Sequence, residues 1–175
     1  MPFDSRPSAP DLGSVIDDLY SARLLKLAAN LPRVGRLAAP DASVEKIAKL
    51  CGSRVVVDVV VADGRVADFA QDVKACALGQ AAASVLGAHV IGASLDELEV
   101  TRNQFRAMLK AGGDPPDGRF SDLAMLAPVK DYPARHASTL LAFEAVTEAV
   151  RQATTEATAA QETPTPGRTS PAGAA

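Results

Sequence analysis

The sequence predicts an α+β fold in which a three-stranded antiparallel sheet packs against a layer of helices. Three observations point to it. Residues 54–61 hold Val at 55, 56, 57, 59, 60 and 61, strong β-branched strand chemistry. Asp63-Gly64 follows as a two-residue hairpin turn and leads into a return strand. Apolar residues at helical spacing flank this β region on both sides, and a sheet this small needs helices on one face to bury it.

In chain order, residues 1–13 are polar and Pro-rich and are expected to be a flexible N-terminus. The folded domain is expected over residues 14–153. Ser14 with Asp17 has the form of a capping box, and Ile16, Leu19, Tyr20, Leu24, Leu27 and Leu31 continue at helical spacing until Pro32 stops the helix. Ser43 to Lys49 alternates loosely around Val44 and Ile47 and reads as the first strand. Arg54 to Val61 is the second. Arg65 to Val73 is the third, with Ala67, Phe69 and Val73 on one face.

Ala75 to Leu86 is Ala-rich and suits a tightly packed helix. Ser94 with Glu97 is a second capping box, opening a helix to about Lys110 that Gly112-Gly113 ends. Phe120 to Leu126 reads as a short helical turn, and Pro133 as the start of a last helix through Leu140, Leu141, Phe143, Val146 and Val150. Residues 154–175 contain no large apolar side chain and are expected to be a disordered tail.

A chain of 175 residues suits one domain with one core. With no Trp and few aromatics, that core must be built from Val, Leu, Ile and Ala. The net charge of −3 and the scattered basic residues give no basis for nucleic-acid or anionic-membrane binding. No apolar run approaches the roughly 20 residues of a membrane span, so a cytoplasmic location is expected. There is no Gly-rich phosphate loop, G-x-S-x-G, H-E-x-x-H or C-x-x-C, and only two His, so no stand-alone enzyme mechanism assembles from motifs.

What remains is the pair Cys51 and Cys76. Cys51-Gly52 precedes the Val-rich strand, and Cys76 lies where the return strand gives way to a helix. An antiparallel hairpin of about equal strands returns to its starting edge, which brings the two thiols to one end of the sheet. A helix N-terminus favours thiolate at Cys76, and thiolates ligate Fe–S clusters and zinc. A small buried hydrophobe is the alternative reading of either cysteine. His89, after a helix end, reads as structural.

Taken together, Asp18-Leu19-Tyr20-Ser21, Asn30-Leu31-Pro32-Arg33-Val34-Gly35, Leu50-Cys51-Gly52-Ser53, Ala75-Cys76-Ala77-Leu78-Gly79-Gln80-Ala81, Ser94-Leu95-Asp96-Glu97-Leu98 and Pro133-Ala134-Arg135-His136-Ala137-Ser138 occur in an order and spacing that resembles the U-type iron–sulfur cluster assembly scaffolds: IscU, SufU and the N-terminal domain of NifU. The resemblance covers about residues 14–152. It implies a scaffold that receives sulfur from a cysteine desulfurase, binds iron or a transient [2Fe–2S] cluster, and serves Fe–S acceptor proteins as a monomer or homodimer. Zinc is the alternative metal, and a metal-free form is the third expectation.

Of the family's assembly site, three cysteines and an aspartate, the first two cysteines map to Cys51 and Cys76. The aspartate maps to Ser53 and the third cysteine to Ser138, which also reads as a helix cap. His136 is the candidate third metal ligand, with a solvent-facing or capping side chain as the alternative reading, and Arg135 either orients the site or forms a surface salt bridge. Hydroxyls are poor ligands beside thiolate and carboxylate. The alternative function is therefore a divergent, non-assembling relative that binds a partner or accepts sulfur without holding a cluster.

Overall fold

The structure, a computed structural model, describes residues 20–161. In order, its elements are helix α1 (Ala22–Ala29), strands β1 (Ala42–Ala48), β2 (Ser53–Ala62) and β3 (Arg65–Lys74), helices α2 (Ala77–His89) and α3 (Leu95–Ala111), a 3-10 segment (Gly118–Asp131) and the long helix α4 (Pro133–Gln161). The α+β architecture expected from the sequence is the one observed. Among the described residues no helix is long and apolar enough to cross a membrane.

The strands form one antiparallel sheet in the order β1-β2-β3. Valines 55, 57 and 59 of β2 turn one face of the sheet inward, where α4 covers it. Register shifts between Val60 and Val61, which pair with Asp68 and Val66, so Ala67 is the extra residue of a bulge. The bulge corrects the expected face of β3: Val66, not Ala67, is buried on the side of Phe69, and Ala67 is exposed. The far edge of β3 is capped by residues 33–35. Gly35 N donates to the Gln71 carbonyl at 2.9 Å, and Gln71 N donates to the Arg33 carbonyl at 2.9 Å.

The first described helix is shorter than its apolar spacing implies. Ser21 caps it, its hydroxyl accepting from Leu24 N at 3.3 Å, and Asn30 ends it by donating to the Lys26 carbonyl at 2.7 Å. Tyr20 and Leu31, expected on this helix, lie outside it. The Ser14–Asp17 capping box falls outside the described residues.

Helix α2 is buried on nearly every side because Ala and Gly let α1 and α4 approach it. The cap of α3 is half a capping box. Ser94 Oγ accepts from Glu97 N at 3.3 Å, but the Glu97 carboxylate accepts from Arg119 of the 3-10 segment at 2.7 Å instead of reaching back. Three of the few aromatics meet in the core, Phe143 lying edge-on to Phe105 at 5.6 Å and to Phe120 at 5.4 Å. Burying each such ring contributes about 1.5–3 kcal/mol.

Helix α4 continues to Gln161, past residue 154, where composition places the start of a tail. No Gly or Pro interrupts residues 154–161, and the hydroxyls of Thr154, Thr155 and Thr158 donate to carbonyls one turn back, at 2.7, 2.9 and 3.0 Å. The last turns also lie beside the β2–β3 turn, where Val61 and Gly64 share a cleft with Thr154 and Gln161.

Candidate functional site

The turn between β1 and β2 is four residues long, Lys49 to Gly52. Cys51 N and Gly52 N both donate to the Ala48 carbonyl, at 3.3 and 2.9 Å. Gly52 has φ of 70°, a left-handed conformation that a side chain would strain, so this turn needs glycine directly after the cysteine. Cys51 is left exposed at its tip. Ser53, the first residue of β2, is buried, and its Oγ lies 3.1 Å from Cys51 Sγ.

Pairing then carries the second cysteine to the same place. Arg54 pairs with Lys74, so the start of β2 adjoins the end of β3. From Lys74 the chain enters α2 through Ala75 and Cys76. Cys76 holds the N-cap position with extended backbone (φ −64°, ψ 168°), and its side chain makes no bond to the helix amides. The sulfur faces Ser138 Oγ of α4 instead, at 3.6 Å. Gly79 makes this possible. A Cβ there would sit 2.9 Å from the Ser138 carbonyl oxygen and 2.9 Å from Ala75 Cβ, so only glycine lets α4 lie this close to the first turn of α2.

Cys51, Ser53, Lys74, Cys76, Gln80 and Arg135 line one open cleft of about 510 Å³. The two thiols have different surroundings. The Ser53 hydroxyl and the Ser53 backbone amide hold the Cys51 thiol below the ordinary cysteine value. Partial burial opposes them, while the Arg135 charge adds to them more weakly. Ser138 carries one hydroxyl proton, and the Arg135 carbonyl accepts it at 3.1 Å. Ser138 is not a helix cap, because it lies in the body of α4 and bonds back along it.

His136 is not brought to the sulfurs. On a helix, residues 136 and 138 lie about 200° apart and face different sides. His136 is buried, and its Nε2 stands 3.0 Å from the Val129 carbonyl and 3.2 Å from that of Lys130, so Nε2–H donates to the end of the 3-10 segment. It lines a separate cleft with Lys110, Lys130 and Glu144. The expectation of His136 as a ligand beside the cysteines is corrected by this geometry: its ring belongs to the packing of the 3-10 segment.

The donor set at the cleft is two thiols and two hydroxyls. A [2Fe–2S] cluster takes four cysteine thiolates, so one chain supplies half of a standard set. Among the described residues no group of three or more His, Cys, Asp or Glu is placed to hold a metal ion. Sequence reasoning missed Lys74, Gln80 and the packing role of Gly79. Gln80 had a signal, since it stands four residues after Cys76 on the same helix face.

Comparison with known proteins agrees with this fold. The NifU-like N-terminal domain family matches residues 19–139. The iron–sulfur cluster assembly scaffold protein IscU of Thermotoga maritima is 27% identical over 136 residues, 77% of this chain and 94% of that protein. The crystal structure of a nitrogen-fixing NifU-like protein (N-terminal) from Brucella abortus is 51% identical, with a TM-score of 0.80 over 81% of this chain and 99% of that chain. A candidate SUF-system scaffold from Fervidobacterium islandicum AW-1, at 19% identity and a TM-score of 0.70, covers 77% of this chain and 98% of its own, and shares the fold. The chain belongs to the NifU-like N-terminal domain family, the family of the U-type iron–sulfur cluster assembly scaffolds.

Proposed function

We propose that this chain receives sulfur at Cys51 from a cysteine desulfurase and holds iron, or a transient [2Fe–2S] unit, at Cys51 and Cys76 as cargo for acceptor proteins. The observation that supports the reading is an exposed thiol, held below its ordinary pKa by Ser53, in one cleft with a second thiol. Sulfur receipt needs only the first. The Cys51 thiolate attacks the outer sulfur of a donor persulfide. The S–S bond to the donor cysteine breaks, the donor leaves as thiolate, and Cys51 becomes the persulfide. No net oxidation occurs. Arg135 and Lys74 supply positive charge beside the sulfur as anionic groups accumulate there.

A second reading rests on one observation. Serines stand at both remaining ligand positions, so the chain accepts sulfur and passes it on without retaining iron. One experiment separates the two. The protein is incubated anaerobically with a desulfurase, L-cysteine and Fe(II), and mass, iron, acid-labile sulfide and visible absorption are measured. The scaffold reading expects Cys51→Ala to lose sulfur uptake, and Cys76→Ala to keep it but lose bound iron. Sulfur uptake unchanged in Cys51→Ala would sink both readings. Uptake with no iron retained by the native chain would leave the second.

A further inference from the structure

The chain holds two cysteines, and the cleft is lined by both. They reach it from different depths. Cys51 stands exposed at the tip of the β1–β2 turn, while Cys76 is half-buried against the core at the entry to α2. The deeper thiol is not tied down. It makes no bond to the helix amides, and the polar atom it faces, Ser138 Oγ, lies 3.6 Å away. The oxygens beside the two sulfurs, Ser53 Oγ and Ser138 Oγ, are neutral hydroxyls, and it is thiolate that attacks a sulfur–sulfur bond. A persulfide on Cys51 therefore has one sulfur nucleophile of its own chain to meet, Cys76.

We infer that Cys76 resolves the persulfide formed on Cys51, closing a Cys51–Cys76 disulfide within one chain and releasing the outer sulfur as hydrosulfide. The inference rests on the sulfur-receipt half of the reading above and needs no iron. The Cys76 thiolate attacks Sγ of Cys51, the inner sulfur of the persulfide. The bond from that sulfur to the outer one breaks, and its electron pair leaves with the outer sulfur. The proton given up by Cys76 ends on the departing sulfur. The outer sulfur is reduced to sulfide and the two thiols are oxidised to a disulfide, so no outside oxidant or reductant enters the step. Attack on the outer sulfur would instead move the persulfide to Cys76. Depth favours the inner one: the half-buried thiol approaches from the floor of the cleft, and the outer sulfur departs toward its open mouth. Lys74 and Arg135 line that path and attract the departing anion. A dithiol reductant then reopens the disulfide and returns the chain for another sulfur.

The test is one anaerobic turnover without iron. The reduced chain is mixed with a desulfurase that carries its persulfide and has been freed of L-cysteine, so that no small thiol takes part. Released sulfide, intact mass and alkylation of both cysteines are then read together. The expected result is one sulfide per chain turned over and a chain about 2 Da lighter, its cysteines closed to alkylation until a dithiol is added. A chain about 32 Da heavier, with its persulfide kept on Cys51 and no sulfide released, would overturn the resolving step and leave sulfur receipt standing. Sulfane sulfur found on Cys76 would overturn attack at the inner sulfur. Chains linked in pairs by a disulfide would overturn the step within one chain. A desulfurase persulfide left untouched would overturn sulfur receipt and this inference together.

One variant sharpens the result. Cys76→Ser keeps nearly the same shape and removes the attacking sulfur. It should still take sulfur at Cys51, which shows that it is folded, but hold it there as a persulfide and release sulfide at least tenfold more slowly. Adding a dithiol to the loaded variant should then free the sulfide that the native chain frees unaided. Release undiminished in Cys76→Ser would mean that a thiol of the desulfurase does the work, and would overturn the role of Cys76.

Discussion

Two polar clusters flank the same sheet and are built on opposite rules. On the outer face, Asp58 of β2 has no exposed surface, and its carboxylate accepts from Arg36 Nε at 2.7 Å, Arg36 Nη2 at 3.0 Å and Leu37 N at 3.0 Å. Arg36 Nη2 also donates to Ser43 Oγ at 3.0 Å. This clasp straps the segment before β1 across the sheet with its charges matched. At the turn end, by contrast, Cys51, Lys74 and Arg135 stand exposed around a cleft, and the groups that position them are small: Gly52, Gly79 and two hydroxyls. A buried charge persists only when it is fully paired. A nucleophile is useful only when it is not. The clasp serves the fold, and the cleft is left free to react.

Breaking the clasp should give the largest effect. Arg36→Met leaves Asp58 buried without its cation and should lower the midpoint of urea denaturation more than any other variant considered. Cys51 alkylation should be unchanged. The pH dependence follows from Asp58. Burial would push its carboxyl up, but Arg36, the Ser43 hydroxyl and the Leu37 amide together hold it below the ordinary aspartate value. The stability it contributes is therefore present in full above the unfolded aspartate pKa, and is lost as pH falls through the lower folded value. The variant should lack this acid-side loss. A variant as acid-sensitive as the native chain would remove Asp58 as its source.

Next in size is Gly79→Ala. The new methyl meets the Ser138 carbonyl at 2.9 Å, a backbone atom that cannot swing aside. The expected destabilisation is about 1–3 kcal/mol by thermal unfolding, with a changed rate of Cys76 alkylation as α4 shifts from α2. An unchanged rate would mean that Ser138 and Cys76 are positioned independently of this contact. Smaller again is His136→Gln, expected to cost about 1 kcal/mol for the bonds to Val129 and Lys130 and to leave iron binding alone. Iron lost in this variant would return His136 to the cleft.

The comparison also explains what was legible beforehand. The sheet was readable because valine density and the Asp63-Gly64 turn are local signals, and the meeting of Cys51 and Cys76 followed from strand pairing alone. The bulge at Ala67 was not readable, since nothing in residues 65–73 marks which one loses its partner. Nor was the orientation of His136. Positions 136 and 138 look adjacent in sequence, and only the packing of the 3-10 segment against α4 decides which side faces the sulfurs. The extension of α4 to Gln161 was missed because composition shows too little apolar surface after Ala153, while threonine back-bonding and the neighbouring hairpin turn are tertiary facts. The Asp58 clasp pairs residues 22 apart and leaves no local pattern.

The finest probe acts on the Cys51–Ser53 contact, where no large change in stability is expected. Because Ser53 holds the Cys51 thiol low, alkylation measured against pH should rise through a midpoint below that of free cysteine. Ser53→Ala removes the hydroxyl donor and should move that midpoint upward, with the backbone amide of residue 53 retaining part of the effect. Ser53→Asp should move it further up, because a carboxylate 3.1 Å from the sulfur, where the hydroxyl now sits, opposes the thiolate. The order native, alanine, aspartate follows from hydrogen bonding and charge alone. A midpoint that is the same in Ser53→Ala would assign the low value to the backbone amide of residue 53 and the Arg135 charge, and would make the hydroxyl a spacer rather than the group that readies Cys51 to take sulfur.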